Sequence, residues 1–411
     1  MPRLGFDRIF QVLQQRNYGL FTLGNSLSLI GTWMQRIASG WLAWTLTESA
    51  TWVGAIAFAD LFPCVLLGPF SGAAADRWNR LKVLKIGQVL GLMQALLLAA
   101  LYQTGNLTIW PLFLITLFHG TVTGFLQPFR LAITSGLVTS EWLNTAIAIN
   151  SVTFNLARFV GPAAAGLLIA LGGLGGTYMV NAVTFAAFTF CLTFVTIHNQ
   201  PKRHSRGGFF ADTMVGIRHA VSTPGVNGLL VMTVVGGIMV RPVVELLPGW
   251  AAQIFHGSSR DFAALTSALG IGAVIGGLWL AARKSPRGLA RIMIGSQFAM
   301  CLFLLAFAAS WHVWMALPLA MLTGAAMVIA AISAQTLTQI TVAEDLRGRV
   351  LGIWGLTVRG SPSIGALIMG AASDVWGMRA PLIFGVIVTL CVVAYFALRF
   401  EKMKAALEDN L

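Results

Sequence analysis

The sequence predicts an all-α polytopic membrane protein, with twelve transmembrane helices in two pseudo-symmetric six-helix bundles. Three observations lead there. Hydrophobic residues make up 57% of the 411 and charged residues 10%, with a mean hydropathy of +0.78; a soluble chain carries about 25% charged residues. The apolar residues fall in repeated runs near the ~20 residues that cross a bilayer as a helix. Between the runs, the cations collect on one side of the membrane.

Taken in order, the opening stretch MPRLGFDRIFQVLQQRNYG is too polar to be the apolar core of a cleavable signal peptide, and reads as a tail. Six spans follow at about 18–44, 50–74, 82–104, 108–130, 143–170 and 175–198, and six more at about 226–254, 260–283, 288–309, 312–337, 347–373 and 379–399. With the amino terminus taken as cytoplasmic, only Arg260 and Arg379 of the 27 Lys and Arg fall on the far side. Arg36, Arg158, Arg241 and Arg359 fall inside spans, and every other cation lies in a cytoplasmic tail or loop. Both termini are therefore expected inside, in the inner (cytoplasmic) membrane.

Residues 199–225 form the one long polar linker. Phe209, Phe210, Met214, Ile217 and Val221 recur there at helical spacing, with Asp212, Arg218 and His219 elsewhere. This predicts an amphipathic helix on the inner membrane surface, separating a bundle at 1–198 from a second at 226–411. The bundles read as repeats. GLFTLGNSLSLIGTWMQRIASGWLAW from Gly19 aligns with GLLVMTVVGGIMVRPVVELLPGWAAQ from Gly228, and the same offset carries Gly40 and Trp41 onto Gly249 and Trp250, and Gln88 onto Gln297. A slightly shorter offset carries Gly161 onto Gly365 and Gly166 onto Gly370. Paired parallel repeats are a transporter construction with substrate sites near the midplane.

Several classes are excluded. The net charge of +13 sits in short loops between spans, which argues against nucleic acid and for a membrane surface. Cys64, Cys191, Cys301 and Cys391 lie far apart inside apolar runs with no metal-ligand spacing. No phosphate-binding loop, zinc-protease helix or nucleophile elbow is present. The chain is therefore expected not to be an enzyme and to need no cofactor, its energy coming from an ion gradient.

The segment GAAADRWNR, with Gly72, Asp76, Arg77 and Arg80, resembles the loop 2–3 signature of the major facilitator superfamily. Asn79 stands where that signature has glycine, and Leu81 where it has a base. NYGLFTLGNSLSLIGTWMQRIASGWL, AIAINSVTFNLARFVGPAAAG and LRGRVLGIW resemble the branch of transmembrane secretion effectors, which contains the enterobactin exporter. The resemblance spans nearly the whole chain. It implies a major facilitator fold and docking of Asp76 near the start of span 11, where Arg347 and Arg349 lie, as a conformational latch. Gly161, Pro162 and Gly166 resemble part of the span 5 motif of drug exporters, with Ala157 and Ala165 replacing glycines. Plain close packing is the alternative reading of those small residues.

Charges inside spans are costly and are functional candidates by default. Glu245 and Asp60 are candidate proton-coupling carboxylates, and His119 is a third titratable candidate. Arg36 aligns with Glu245 between repeats. Arg241, four residues before Glu245, is expected on the same face of span 7. Asp60 is read equally as a structural partner of Arg158 or Arg359. Asn155 aligns with Arg359, and Asn25, Gln35, Gln127 and Trp33 are candidate cavity residues. The function expected is a proton-coupled exporter of a small amphipathic molecule, a siderophore, drug or metabolite, working as a monomer by alternating access. An importer or facilitator on the same fold, or a membrane sensor or scaffold, are the alternatives.

Overall fold

The computed structural model describes residues 4–197, 218, 219, 221–223, 225–283, 285, 287–342, 344–401, 404 and 407, without the side chains of 4–7, 69, 144, 155, 159, 170, 172, 344, 345 and 347–349. Most of the expected amphipathic linker lies outside those residues. All regular structure among them is helical, because a backbone in hydrocarbon has to satisfy its N–H and C=O groups within its own segment.

The helices are α1 (Leu4–Gln14), α2 (Arg16–Thr47), α3 (Ala50–Leu61), α4 (Pro63–Arg77), α5 (Arg80–Gln103), α6 (Ile109–Leu137), α7 (Leu143–Thr193), α8 (Val226–Met239), α9 (Ser259–Ala281), α10 (Leu289–Ala309), α11 (Val313–Thr341), α12 (Glu344–Trp376) and α13 (Arg379–Leu398). Ten stretches among the described residues are long and apolar enough to cross a membrane. The other two expected spans are α2 and α12, helices of 32 and 33 residues. Both are long enough, at 1.5 Å per residue, but polar residues lower their hydropathy. Within α7, Gly173 has φ 72° and ψ −178°, a conformation open to glycine, and this separates spans 5 and 6.

Two expected spans are not single helices. Span 2 breaks at Phe62, because Pro63 has no N–H to continue the ladder. Span 7 is interrupted more deeply. After α8 the chain forms a 3-10 turn at Arg241–Val244, one α-turn at Leu247–Gly249 and a π-turn at Trp250–Ile254. Pro242 and Pro248 sit at the starts of the first two. The first repeat has Trp33 and Ser39 at those positions, and α2 runs on unbroken there.

By contacts the chain forms two compact units, one of Met1–Leu42 with Pro63–Arg206, the other of Ala43–Phe62 with Gly207–Leu411. In the first, α5 packs along α7 and α4 along α6. Its core includes Phe21, Leu84, Leu126, Ile133, Phe188 and Leu192. In the second, α9 packs on α11, α10 on α11, and α3 on α12. Small residues set these approaches. Gly272 meets the Met321 carbonyl, Gly276 the Ala325 backbone, and Gly324 the Leu269 carbonyl. Lipid is as apolar as leucine, so close backbone contact replaces the hydrophobic drive between helices. Leu66, Met93, Leu97, Phe190, Trp279 and Phe384 are exposed, as an outer surface facing acyl chains requires.

Candidate functional site

In the first unit, two intramembrane cations share one indole. The guanidinium of Arg36 lies 5.1 Å from the Trp33 ring centroid and that of Arg158 lies 5.7 Å from it. Such contacts are worth about 0.5–2 kcal/mol. Both arginines also engage other neighbours. Gly161 sits against the Trp33 Cβ and 3.1 Å from the Ile30 carbonyl oxygen, measured from where a Cβ would stand. Gly161 is thus one of the points where α7 closes on α2. Pro162 and Gly166 are buried in the same helix. The Asn155 side chain lies outside the described residues.

Gln35 was expected at a cavity but is 3% exposed and forms a closed node. It donates to Gln94 Oε1 at 3.0 Å and accepts from Gln94 Nε2 at 3.1 Å and Asn181 Nδ2 at 2.6 Å. Asn181 in turn accepts from Thr184. A second polar group lies on the same helix. Ser28 donates to Gln88 Oε1 at 3.1 Å, and one turn earlier Asn25 is buried, with no hydrogen bond to its Oδ1 among the described residues. His119 is buried with its ring edge-on to Phe185, centroids 6.4 Å apart.

The charged turn after span 2 is organised by Arg80. It is 7% exposed and donates from Nε to the Ala75 carbonyl at 2.9 Å and from Nη1 to the Ala132 carbonyl at 3.2 Å. Asp76 lies 3.9 Å from its Nη2. Asn79, where the family signature has glycine, caps α5 by accepting from the Lys82 N–H. A Cβ on Gly72 would meet no atom within 4 Å, and Arg77 is exposed. The expected latch partners Arg347 and Arg349 have side chains outside the described residues.

In the second unit, α3 and α12 run antiparallel in close register. Gly54 faces the Ala366 carbonyl and Gly370 the Ala50 carbonyl. The same register carries Asp60 to the level of Arg359, and both are half-buried and engaged. At the other end of the pair, Asp374 caps α3. Its Oδ1 accepts from the Ala50 N–H at 2.6 Å, and its Oδ2 accepts from the Thr51 N–H at 3.0 Å and from the Ser49 and Thr51 hydroxyls at 2.5 Å each. Ser49 Oγ accepts from the Trp52 N–H, and the Ser49 N–H donates to Thr47 Oγ1. All four amides that a helix start leaves open are thereby satisfied. Asp374 lies just past span 11. Partial burial raises its pKa, but the four hydrogen bonds outweigh that and hold the carboxyl below its ordinary value. No sequence signal singled out Asp374, because its partners are more than 300 residues away.

The break in span 7 places Arg241 at the start of the 3-10 turn and Glu245 at its end. The backbone that joins them is a 3-10 turn and not the α-helix expected of span 7. Both are half-buried and engaged. Beside Arg241 is a cavity of about 70 Å³ between α8, α10, α11 and α12, with Gln297, Met300, Met327 and Trp354 in its wall.

Comparison with known proteins adds relationship to this geometry. The family described as transmembrane secretion effector matches residues 9–410. The chain is 26% identical over 400 residues to the staphyloferrin A transporter of Staphylococcus aureus, covering 95% of this chain and 98% of that one. It is 28% identical over 338 residues to the enterobactin exporter EntS of Salmonella typhimurium, covering 80% and 77%. Among solved structures, a bacterial homologue of the iron transporter ferroportin in an inward-facing state superposes with a TM-score of 0.71 at 17% identity, over 95% of this chain and 99% of that one. The nucleoside transporter NupG does so at 0.70 and 14%, over 94% and 99%. These structures share the fold alone.

Proposed function

Starting from a chain that belongs to the transmembrane secretion effector family, and so is a multi-pass membrane transporter of the major facilitator type, we propose that it is a proton-coupled exporter of a small amphipathic molecule of the siderophore, drug or metabolite kind. The observation that carries the reading is the interrupted span 7, with Arg241 and Glu245 at the break. Discontinuous helices are where secondary transporters hold substrates and coupling ions. Relatives named for siderophores support the substrate class.

Glu245 is the first coupling carboxylate, tuned by Arg241, and Asp60 is the second, set against Arg359. Protonation of either biases one of two states in an alternating-access cycle. The bundles at 1–198 and 226–411 are the moving bodies. Asp76 acts with Arg347 or Arg349 as an inner latch. The protein works as a monomer without cofactor in the inner membrane, both termini cytoplasmic. The test is substrate-dependent proton movement in proteoliposomes across a panel of amphipathic acids and drugs. Glu245→Gln and Asp60→Asn, made singly, are expected to abolish or uncouple it. Full coupling in both variants removes these carboxylates from the mechanism, and no proton movement with any of the panel removes the reading.

A further inference from the structure

The opening stretch, read from its polarity as a tail, folds as α1 from Leu4 to Gln14, and its sides meet different surroundings. Val12 is fully buried against Tyr18 and Ala146, with Leu137, Val138 and Trp142 around them. This seats α1 on the first unit where α6 stops and α7 starts. At about 100° per residue, Ile9, Leu13 and Phe10 lie about 60°, 100° and 160° round from Val12, and all three are exposed, Phe10 at 63%. Arg8, Gln11 and Gln14 lie about 40°, 100° and 160° the other way and are exposed as well. One side is thus apolar, the opposite side polar, and a seam between them faces the bundle. The seat is fixed at its root. The chain bends at Gln15, and a Cβ on Gly19 would collide with the Leu13 carbonyl oxygen, so α1 turns off the line of α2 instead of extending it. Tyr18 Oη donates to the Ala146 carbonyl at 3.0 Å, and Asn17 Oδ1 accepts from the Thr196 N–H at 3.3 Å, which ties the corner to both ends of α7.

We infer that α1 is an interfacial helix seated on an anionic lipid surface. Ile9, Phe10 and Leu13 enter the boundary of the acyl chains, Gln11 and Gln14 stay in water, and Arg8 and Arg16 meet lipid phosphates. A helix lying beside a bundle at the bilayer surface has protein, lipid and water on three different sides, and its side chains sort accordingly. Charge selects the lipid. Arg8 and Arg16 are exposed, and so are Arg77 and Lys82 at the same end of the unit. That turn belongs to this end because Arg80 bonds the Ala132 carbonyl, close to where α6 stops. Of the carboxylates there, Asp76 is already set against Arg80 and Glu141 is exposed. Each Lys or Arg near an anionic bilayer adds attraction. Three apolar side chains on two turns also fall far short of the ~1,200 Å² that a stable protein interface buries, which argues against a second copy. Through Asn17 and Tyr18 the hold of the lipid on α1 reaches spans 5 and 6. The inference is independent of the transported molecule and of its coupling.

Nitroxide labels on the full chain test the seat, in vesicles of phosphatidylcholine mixed with phosphatidylglycerol and with Cys64, Cys191, Cys301 and Cys391 replaced by serine. Labels placed through Phe10→Cys and Leu13→Cys are expected to be reached by oxygen, which concentrates in lipid. Labels placed through Gln11→Cys and Gln14→Cys are expected to be reached by a water-soluble nickel complex. Equal access of nickel to both sides would overturn the inference. Dipolar broadening between labels on two chains would assign the apolar side to a second copy and overturn it too. Hydrogen exchange of the chain with its own cysteines reads the charge. The amides of α1 are expected to exchange about fivefold more slowly in the mixed vesicles than in phosphatidylcholine alone, with α5 unchanged. Arg8→Gln together with Arg16→Gln is expected to remove that difference. Equal exchange in the two lipids, or a difference that survives the loss of both arginines, would overturn the anionic seat. If the cysteine-free chain does not fold, the exchange measurement carries the test by itself.

Discussion

Replacing Asp374 by alanine should loosen the start of α3 and little else. The carboxylate receives two backbone amides and two hydroxyls from Ser49, Ala50 and Thr51. Hydrogen bonds to a charged group are worth about 1.5–3 kcal/mol each when buried, but Asp374 is exposed and water would replace much of that. The relevant scale is a helix cap, about 1 kcal/mol, plus a charge at a helix N-terminus, about 0.3–1 kcal/mol. Asp374→Ala should therefore cost about 1–2 kcal/mol, and Asp374→Asn, which keeps an acceptor, about half as much. Hydrogen exchange in detergent should show the amides of α3 exchanging up to about tenfold faster in the alanine variant, with α5 and α7 unchanged. The pH dependence has a definite sign. A carboxyl whose folded pKa is depressed contributes fully above its unfolded value of about 3.9 and loses the contribution as pH falls through the lower folded value. Protection of α3 should thus be flat above about pH 4 and erode below it in the wild type, more steeply than in Asp374→Asn. Unchanged exchange of α3 in Asp374→Ala would refute the reasoning.

The charged turn after span 2 offers a contrast within five residues. Arg80→Ala removes a buried guanidinium bonded to two carbonyls and should cost about 2–4 kcal/mol, read as a fall in the thermal midpoint of the purified protein. Asp76→Asn touches only a 3.9 Å pair with a 35% exposed carboxylate and should cost under about 1 kcal/mol, so any change in conformational accessibility it produces comes from the latch and not from unfolding. Gln94→Leu leaves Gln35 without its reciprocal partner and should cost about 1–3 kcal/mol by the same thermal measurement. Asn181→Ala on top should then add less than it does alone, because the two share one node.

Much of this protein was legible because bilayer physics is local. Run lengths and the aligned repeats placed the spans, including the gap between spans 5 and 6 that holds Gly173, since each span depends on a short stretch meeting one solvent, and short motifs carried the family. The charged candidates Arg36, Asp60, Arg158, Arg241, Glu245 and Arg359 were visible for the same reason, as expensive exceptions in apolar runs. What those residues touch was not visible. Pro242 and Pro248 stood in plain view, yet only the folded chain turned them into a break with Arg241 and Glu245 at its first turn. Gln35 read as a cavity residue until Gln94 and Asn181 closed around it. Asp374 carried no signal at all, because its worth comes from amides on a helix more than 300 residues away. Gln88 and Gln297 are the same letter at the same place in two repeats, and only the folded chain shows that a serine sixty residues away donates to the first of them.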